Sequence, residues 1–411
     1  MLTIVRAASL IDGTGRSPVR NVELLVEAGR ITALGPIGPT PVPAPHRLIE
    51  VPTGTVLPGL IDAHVHLFHH ADPAPWRRFL EEPEALTMVR GVHNARATLL
   101  AGVTTVRVCG SRAALDLVLE RAIAEGLVPG PRIVGAGQTI CITGGHGHSH
   151  GIEADGPDAV RRAARLNIKR GARVIKLTVT AGIATPGYRL PGTPQFQEAE
   201  IRAAVEEAEQ AGIKVCVHAQ GRVGVRRSLA AGVHSIEHGY FLDDPESLEH
   251  MVKRGVFLVP TIVAYALVLE RADAGIPAEA VAKARHAIDD HRESFRLALR
   301  SGVQMAMGTD AGTEFNFHGE NAREFEFLVK NGMTPMDAIV TGTRNGSRLL
   351  GLEGEVGTIE VGKAADLIAV TGDPIERISA LREVRLVMKA GEIVRAESPI
   401  RVAEGKMGTE R

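Results

Sequence analysis

The sequence predicts an α/β protein: a (β/α)8 TIM barrel inserted in a small β-sandwich that the two chain ends build together. Three observations predict it. The first and last fifty or so residues are β-rich and punctuated by Gly, Pro and Asp. The middle alternates short apolar runs with amphipathic helical patterns, about eight units in roughly 300 residues. Several apolar runs end in His, Lys or Asp, which a buried strand does not do unless something binds those side chains.

Residues 1–57 form the N-terminal part of the sandwich, with strands expected in TIVRAASLID, VELLVEAGRITAL and HRLIEV. Residues 353–411 form its C-terminal part, with strands expected in VGTIEVGKAADLIAV and VRLVMKAGEIVRAE. Neither end has enough strands for a stable sheet alone, so the two are expected to pair. They also echo one another. Ala28-Gly29-Arg30-Ile31 parallels Ala390-Gly391-Glu392-Ile393, each a glycine turn between two strands.

Residues 58–352 form the barrel, with strands expected at 60–65, 104–108, 132–136, 174–177, 214–217, 235–237, 256–259 and 304–307. Helical stretches such as DAVRRAARLNIKRG and EAEIRAAVEEAEQAG lie between them, each ending near a glycine. Active sites of such barrels lie at the C-terminal ends of the strands. The polar residues that end runs one, four, five, six and eight fall there.

The 411 residues carry a formal net charge of −1, with 44% hydrophobic and 23% charged side chains. That composition is ordinary for a globular protein. It gives no electrostatic footprint for nucleic acid or an acidic membrane. No apolar run approaches the roughly 18 residues needed to span a bilayer. The N-terminus does not read as a signal peptide. Cys109, Cys141 and Cys216 are far apart and odd in number, which fits buried thiols in a reducing compartment. The expectation is a cytoplasmic protein with a small-molecule substrate and no nucleic-acid or membrane partner.

Four imidazoles, one amine and one carboxylate make a ligand set for two divalent metals. In GLIDAHVHL, His64 and His66 are two apart and share a strand face, so both can hold one cation. His218 ends IKVCVHA, and His238 ends VHSIEHG. Lys176, in ARVIKL, decides between one metal and two. Burial disfavours an ammonium between Ile175 and Leu177 and leaves a fraction as neutral amine. That amine can add carbon dioxide to give a carbamate, N6-carboxylysine, whose two oxygens bridge two cations. The other readings of Lys176 are an ion pair with Asp310 or Glu237, an ordering role at one metal, or a hydrogen bond to substrate. Asp310, in GTDAG, can ligate a metal and act as general base and then acid. A metal-bridging hydroxide would attack a polarised carbonyl, and protonated Asp310 would donate to the leaving nitrogen. Histidine and carboxylate ligands favour zinc.

PGLIDAHVHL, LLAGVTTVR, GARVIKL, VHAQG, AGVHSIEHG, LVPT, GTDAG and VGTIEVGKAADLIAV together resemble the amidohydrolase superfamily, in its binuclear form with a carboxylated lysine. The resemblance covers nearly the whole chain. It implies that His64, His66 and Asp310 hold one metal, that His218 and His238 hold the other, and that Lys176 bridges them. Within the superfamily the chain is most similar to the group of imidazolonepropionase and prolidase-type dipeptidases. That implies hydrolysis of C–N bonds in small N-acyl amino acids or dipeptides, and it allows a homo-oligomer. The alternative at the same centre is a cyclic amide, carbamate, urea, lactone or organophosphate ester. A barrel with purely structural metals is disfavoured, because structural zinc sites close their shell. The chain departs from the pattern at Cys109, where an aspartate is common, and at Ala181, where a glycine is usual. It departs again at Gln220, where dipeptidase-like members carry a tyrosine.

Candidate substrate contacts lie on the loops. His146 and His148, in Gly144-Gly145-His146-Gly147-His148, are expected to meet a carboxylate or carbonyl oxygen. Tyr188 and Arg189 lie in a Gly/Pro-rich loop of the kind that folds over a site, where an arginine grips a carboxylate bidentately. Gln220 follows His218, and His318 lies after strand eight. His69 and His70 are read as loop residues at the mouth, and His150 is set aside.

Overall fold

The computed structural model describes residues 2–38, 46–183, 185 and 190–405, apart from the side chains of 76–78 and 405. Strands from both chain ends join in one mostly antiparallel sheet, nine-stranded among the described residues. Its seam is Thr55–Pro58 against Leu367–Val370, with Leu57 opposite Ile368. Arg401–Gly405 returns antiparallel onto His46–Val51. Inward residues such as Val5, Ala7, Leu24, Val26, Ile49, Leu367, Leu386 and Met388 share one apolar core. Each end thus covers apolar surface that the other would leave wet.

The two echoing glycine turns pack against each other. A Cβ on Gly29 would lie 2.7 Å from the Ala390 carbonyl oxygen, and one on Gly391 would lie 2.8 Å from the Gly29 Cα. Both glycines have φ of +79°. The repeat therefore marks a backbone-to-backbone contact that only glycine permits.

Leu60–Val65, Val103–Val108 and Arg132–Gly135 run parallel. Val174–Thr178, Lys214–Ala219, Ser235–His238 and Phe257–Val259 continue the barrel. The Arg173 N–H donates to the Gly135 carbonyl at 2.9 Å and links the two runs. Helices such as Pro157–Arg170 and Glu198–Gln210 cover the outside. The second begins with a reciprocal capping box between Gln197 and Glu200.

The eighth strand, expected at 304–307, is not a regular strand. Among the described residues its bridges are isolated, Met305 to the seventh strand and Ala311 to the first, with backbone bonds such as Ala63 N–H to the Met307 carbonyl at 2.8 Å between them. Asp62 supplies the reason. Its carboxylate accepts from the backbone N–H groups of His64 and Thr309, both at 3.1 Å. It also accepts from the Thr309 hydroxyl and the Asn321 amide. A side chain thus takes the Thr309 N–H that a ladder bond would use, while the Asp310 N–H still donates to the His64 carbonyl at 2.7 Å. No helix among the described residues is long and apolar enough to cross a membrane.

Candidate metal centre and active site

His64, His66, Lys176, His218, His238 and Asp310 all line one cleft at the C-terminal ends of the barrel strands. Alternation explains part of this: His64 and His66 share a face, as do Lys176 and Thr178. His238 and Asp310 reach the cleft differently, through left-handed backbone with φ of +72° and +60°. Thr261, behind His238, has φ of +51°. Non-glycine residues seldom adopt this region, and such strain gathers at functional sites.

The imidazoles form a continuous cluster. Ring centroids are 5.4 Å apart for His64 and His66, 5.1 Å for His64 and His238, 4.6 Å for His218 and His238 and 4.3 Å for His146 and His218. Two rings are fixed through Nδ1. His64 Nδ1 lies 2.8 Å from Glu237 Oε2, and His238 Nδ1 lies 2.7 Å from Thr261 Oγ1. A proton on each Nδ1 leaves Nε2 with its lone pair toward the cleft, the tautomer a metal ligand needs. His64 Nε2 and His66 Nε2 stand 3.4 and 3.2 Å from Asp310 Oδ1. Glu237 is itself held by Arg107, fully inside the barrel, at 2.6 Å, and by the Ser235 hydroxyl.

The donor set fits divalent metal. His64, His66 and Asp310 offer ligand atoms that all lie within 4.8 Å of one another. Burial pushes His218 and His238 well below the usual imidazole range, so both are neutral. His218 Nε2 is buried with no hydrogen-bond partner, a cost unless a cation takes its lone pair. Burial raises the Asp310 carboxyl, but His64 and His66 outweigh it and hold the group below the usual carboxylate range. Lys176 is 3% exposed, and among the described residues no carboxylate pairs with it. The ion-pair reading of Lys176 is thus left with longer-range attraction to Asp310 and Glu237 and no close contact. A second grouping, His64 with Cys109 and Glu237, is spoken for. Glu237 is engaged by Arg107 and His64, and burial raises the Cys109 thiol far above its usual range.

The expected substrate residues divide. His146 lines the cleft, with Nδ1 2.8 Å from Thr185 Oγ1. Burial lowers it to about 3, so it too is neutral. Its backbone carbonyl accepts from the Thr178 hydroxyl at 2.7 Å, which ties the glycine loop to the fourth strand. His148 does not line the cleft. Its Nδ1–H donates to the Gly145 carbonyl at 2.9 Å, so the ring folds onto its own loop. His150, set aside from sequence, does line it. Gln220 is fully buried behind the wall and donates from Nε2 to the Tyr265 hydroxyl at 2.6 Å. It reaches the cleft only through Tyr265. His318 also stands behind, donating from Nε2 to the His66 carbonyl at 3.1 Å. His69 is buried beneath His66, with centroids 4.8 Å apart, and not a solvated mouth residue. Tyr188 and Arg189 fall outside the described residues.

Arg107, Thr261 and Glu314 were missed from sequence, and Glu237 was read there only as a possible partner of Lys176. The only local signal was Glu237 next to His238. Its partners His64 and Arg107 stand 173 and 130 residues away.

Comparison with known proteins agrees with this geometry. The model of the Amidohydrolase family matches residues 55–394. Ochratoxinase of Aspergillus niger is 30% identical over 94% of this chain and 84% of its own length. Imidazolonepropionase of Maricaulis maris is 27% identical over 89% of this chain and 91% of its own. The crystal structure of a Xaa-Pro dipeptidase with methionine bound in its active site superposes with a TM-score of 0.89. It is 35% identical, with 96% of this chain and 100% of that one covered. The chain belongs to the amidohydrolase family, in its imidazolonepropionase- and prolidase-like group, and is a hydrolase acting on carbon–nitrogen bonds.

Proposed function

We propose that the chain is a binuclear zinc hydrolase that cleaves the amide bond of dipeptides or N-acyl amino acids. One observation carries this reading: Lys176 is buried in the cleft with the imidazoles and Asp310, and among the described residues no carboxylate forms a close ion pair with it. The amine of a lysine in this position is the group that carbon dioxide can modify. Addition of carbon dioxide forms an N–C bond, releases a proton and leaves an anion with two oxygens. His64, His66 and Asp310 would hold one cation, His218 and His238 the other, with the carbamate of Lys176 between them. Bound there, the two cations would polarise the scissile carbonyl and make hydroxide available near neutral pH.

The chain's own groups do the rest. Glu237 and Thr261 keep His64 and His238 in one tautomer. Asp310, held ionised, takes the proton of the attacking water and passes it to the leaving nitrogen. His146 offers a neutral ring to the substrate's carbonyl or carboxylate. Ile183, Ala264, Tyr265 and Val268 form an apolar wall that accepts a side chain. The cleft opens to solvent beside this wall and brings the apolar and the polar groups to one mouth. The ochratoxinase and dipeptidase relatives support the substrate class by similarity. Purified protein, expressed with zinc and bicarbonate, should release amino acids from a panel of dipeptides and acyl-amino acids, and chelation should abolish the release. No turnover across the panel at full metal content would reject this substrate class.

A further inference from the structure

We infer that Glu314 is an amine-recognition residue, so that the preferred substrates are dipeptides with a free amino terminus and not N-acyl amino acids. This inference rests on the amide hydrolysis proposed above and chooses between its two substrate classes.

Glu314 lines the same cleft as the six candidate metal residues. It is 4% exposed, its carboxyl accepts from its own backbone N–H, and among the described residues no cation pairs with it. Other buried carboxylates nearby are all engaged: Glu237 by Arg107 and His64, Asp62 by Thr309 and Asn321, and Glu324 by the backbone N–H groups of Ile262 and Val263. A buried acid without a counter-charge is costly to ionise.

The loop does not leave Glu314 there by looseness. The Thr313 N–H donates to the Asp310 carbonyl, the Gly312 N–H to Asn316 and the Asn316 N–H to Thr313. The Phe315 N–H donates to Ala71 across the mouth at 2.9 Å, and the Asn316 side chain donates to the Thr309 carbonyl at 2.7 Å. These bonds fix the backbone on both sides of Glu314 and hold its carboxyl in the cleft wall. The next anion along the chain toward the cleft is Asp310, whose place is among the imidazoles. Burial, with Asp310 and Asp72 adding to it, pushes the Glu314 carboxyl up to about 7. A substrate ammonium beside it would restore the charged form and supply the missing counter-charge. An acyl group offers neither.

The test compares alanyl-L-methionine with propionyl-L-methionine, which differ only in the amino group. Wild-type protein loaded with zinc and bicarbonate is expected to show at least a tenfold higher kcat/KM for the dipeptide. Glu314→Gln, which keeps shape and hydrogen bonding but removes the charge, should bring that ratio toward one, and Glu314→Asp should restore part of it. Equal kcat/KM in the wild type, or a ratio that Glu314→Gln leaves unchanged, overturns the inference. If neither compound is turned over, the parent reading fails, and calorimetric titration of the same two compounds decides on Glu314 alone. Tighter binding of the dipeptide that Glu314→Gln abolishes then supports the amine site. Equal binding of both, or none, overturns it.

Discussion

Glu237 Oε2 lies 2.8 Å from His64 Nδ1, inside the barrel beneath the candidate metal centre. The other carboxylate oxygen meets Arg107 at 2.6 Å. Burial raises this carboxyl, but Arg107 and His64 outweigh burial and lower it to about 2, so it stays an acceptor at neutral pH. The pair therefore sets which nitrogen of His64 faces the cleft. Glu237→Gln should weaken metal binding about 10- to 100-fold, as loss of a ligand's outer partner typically does. It should also destabilise the fold by about 3 kcal/mol or more, because Arg107 is left buried without its counter-charge. Chelator competition and denaturant unfolding check the two effects separately.

Lys176→Ala should lose at least one metal ion and nearly all activity. Short carboxylic acids added in solution should partly restore both, because an external carboxylate can take the place of the carbamate. Metal stoichiometry by elemental analysis, with and without formate or acetate, measures this. Unchanged stoichiometry in the variant would remove Lys176 from the metal site.

Asp310→Asn should retain more metal than turnover. The amide keeps an oxygen near His64 and His66 but takes up no proton at neutral pH. The expected loss in kcat is about 10²-fold or more, the scale of general acid–base catalysis. Parallel loss of metal and activity would make Asp310 a ligand and nothing further.

His146 and His148 should behave differently, although sequence treats them alike. His146→Ala should chiefly raise KM, since its ring lines the cleft. His148→Ala should change kinetics less than about threefold, since its ring bonds to its own loop. Steady-state kinetics on one dipeptide separate the two. The reverse order would mean that the loop rearranges on binding.

Asp116 gives a pH prediction. It accepts from the Ser111 hydroxyl at 2.6 Å and the Gly137 N–H at 2.9 Å, pinning the exit of the third strand. Burial raises its carboxyl from 3.8 to about 6. An acid raised on folding binds its proton more tightly in the folded state. The folded state is therefore favoured most below pH 3.8, and that favour declines as pH rises to about 6. The size is at most about 3 kcal/mol. Denaturant titrations of wild type and Asp116→Asn at several pH values should show this slope in the wild type and its absence in the variant.

The barrel was legible because each strand run is apolar, short and followed by a helical pattern. Its metal residues were legible because imidazoles, an amine and a carboxylate end those runs. The irregularity of the eighth strand is not legible because Asp62, far away in sequence, takes the Thr309 N–H from it. His148 and Gln220 were misjudged for a related reason. Their residue types suit a substrate, but the Gly145 carbonyl holds His148 Nδ1 on its own loop and the Tyr265 hydroxyl holds Gln220 Nε2 behind the wall. Glu314 gave no signal, because a lone glutamate after a glycine turn reads as solvated until the loop's hydrogen bonds are seen.

The most direct test is a crystal structure, recorded at the zinc absorption edge, of protein expressed with zinc and bicarbonate. The account predicts two anomalous peaks, one beside His64, His66 and Asp310 and one beside His218 and His238, with density continuing from Lys176 Nζ between them. A single peak or none, with an unmodified Lys176 ammonium in well-defined density, would contradict it.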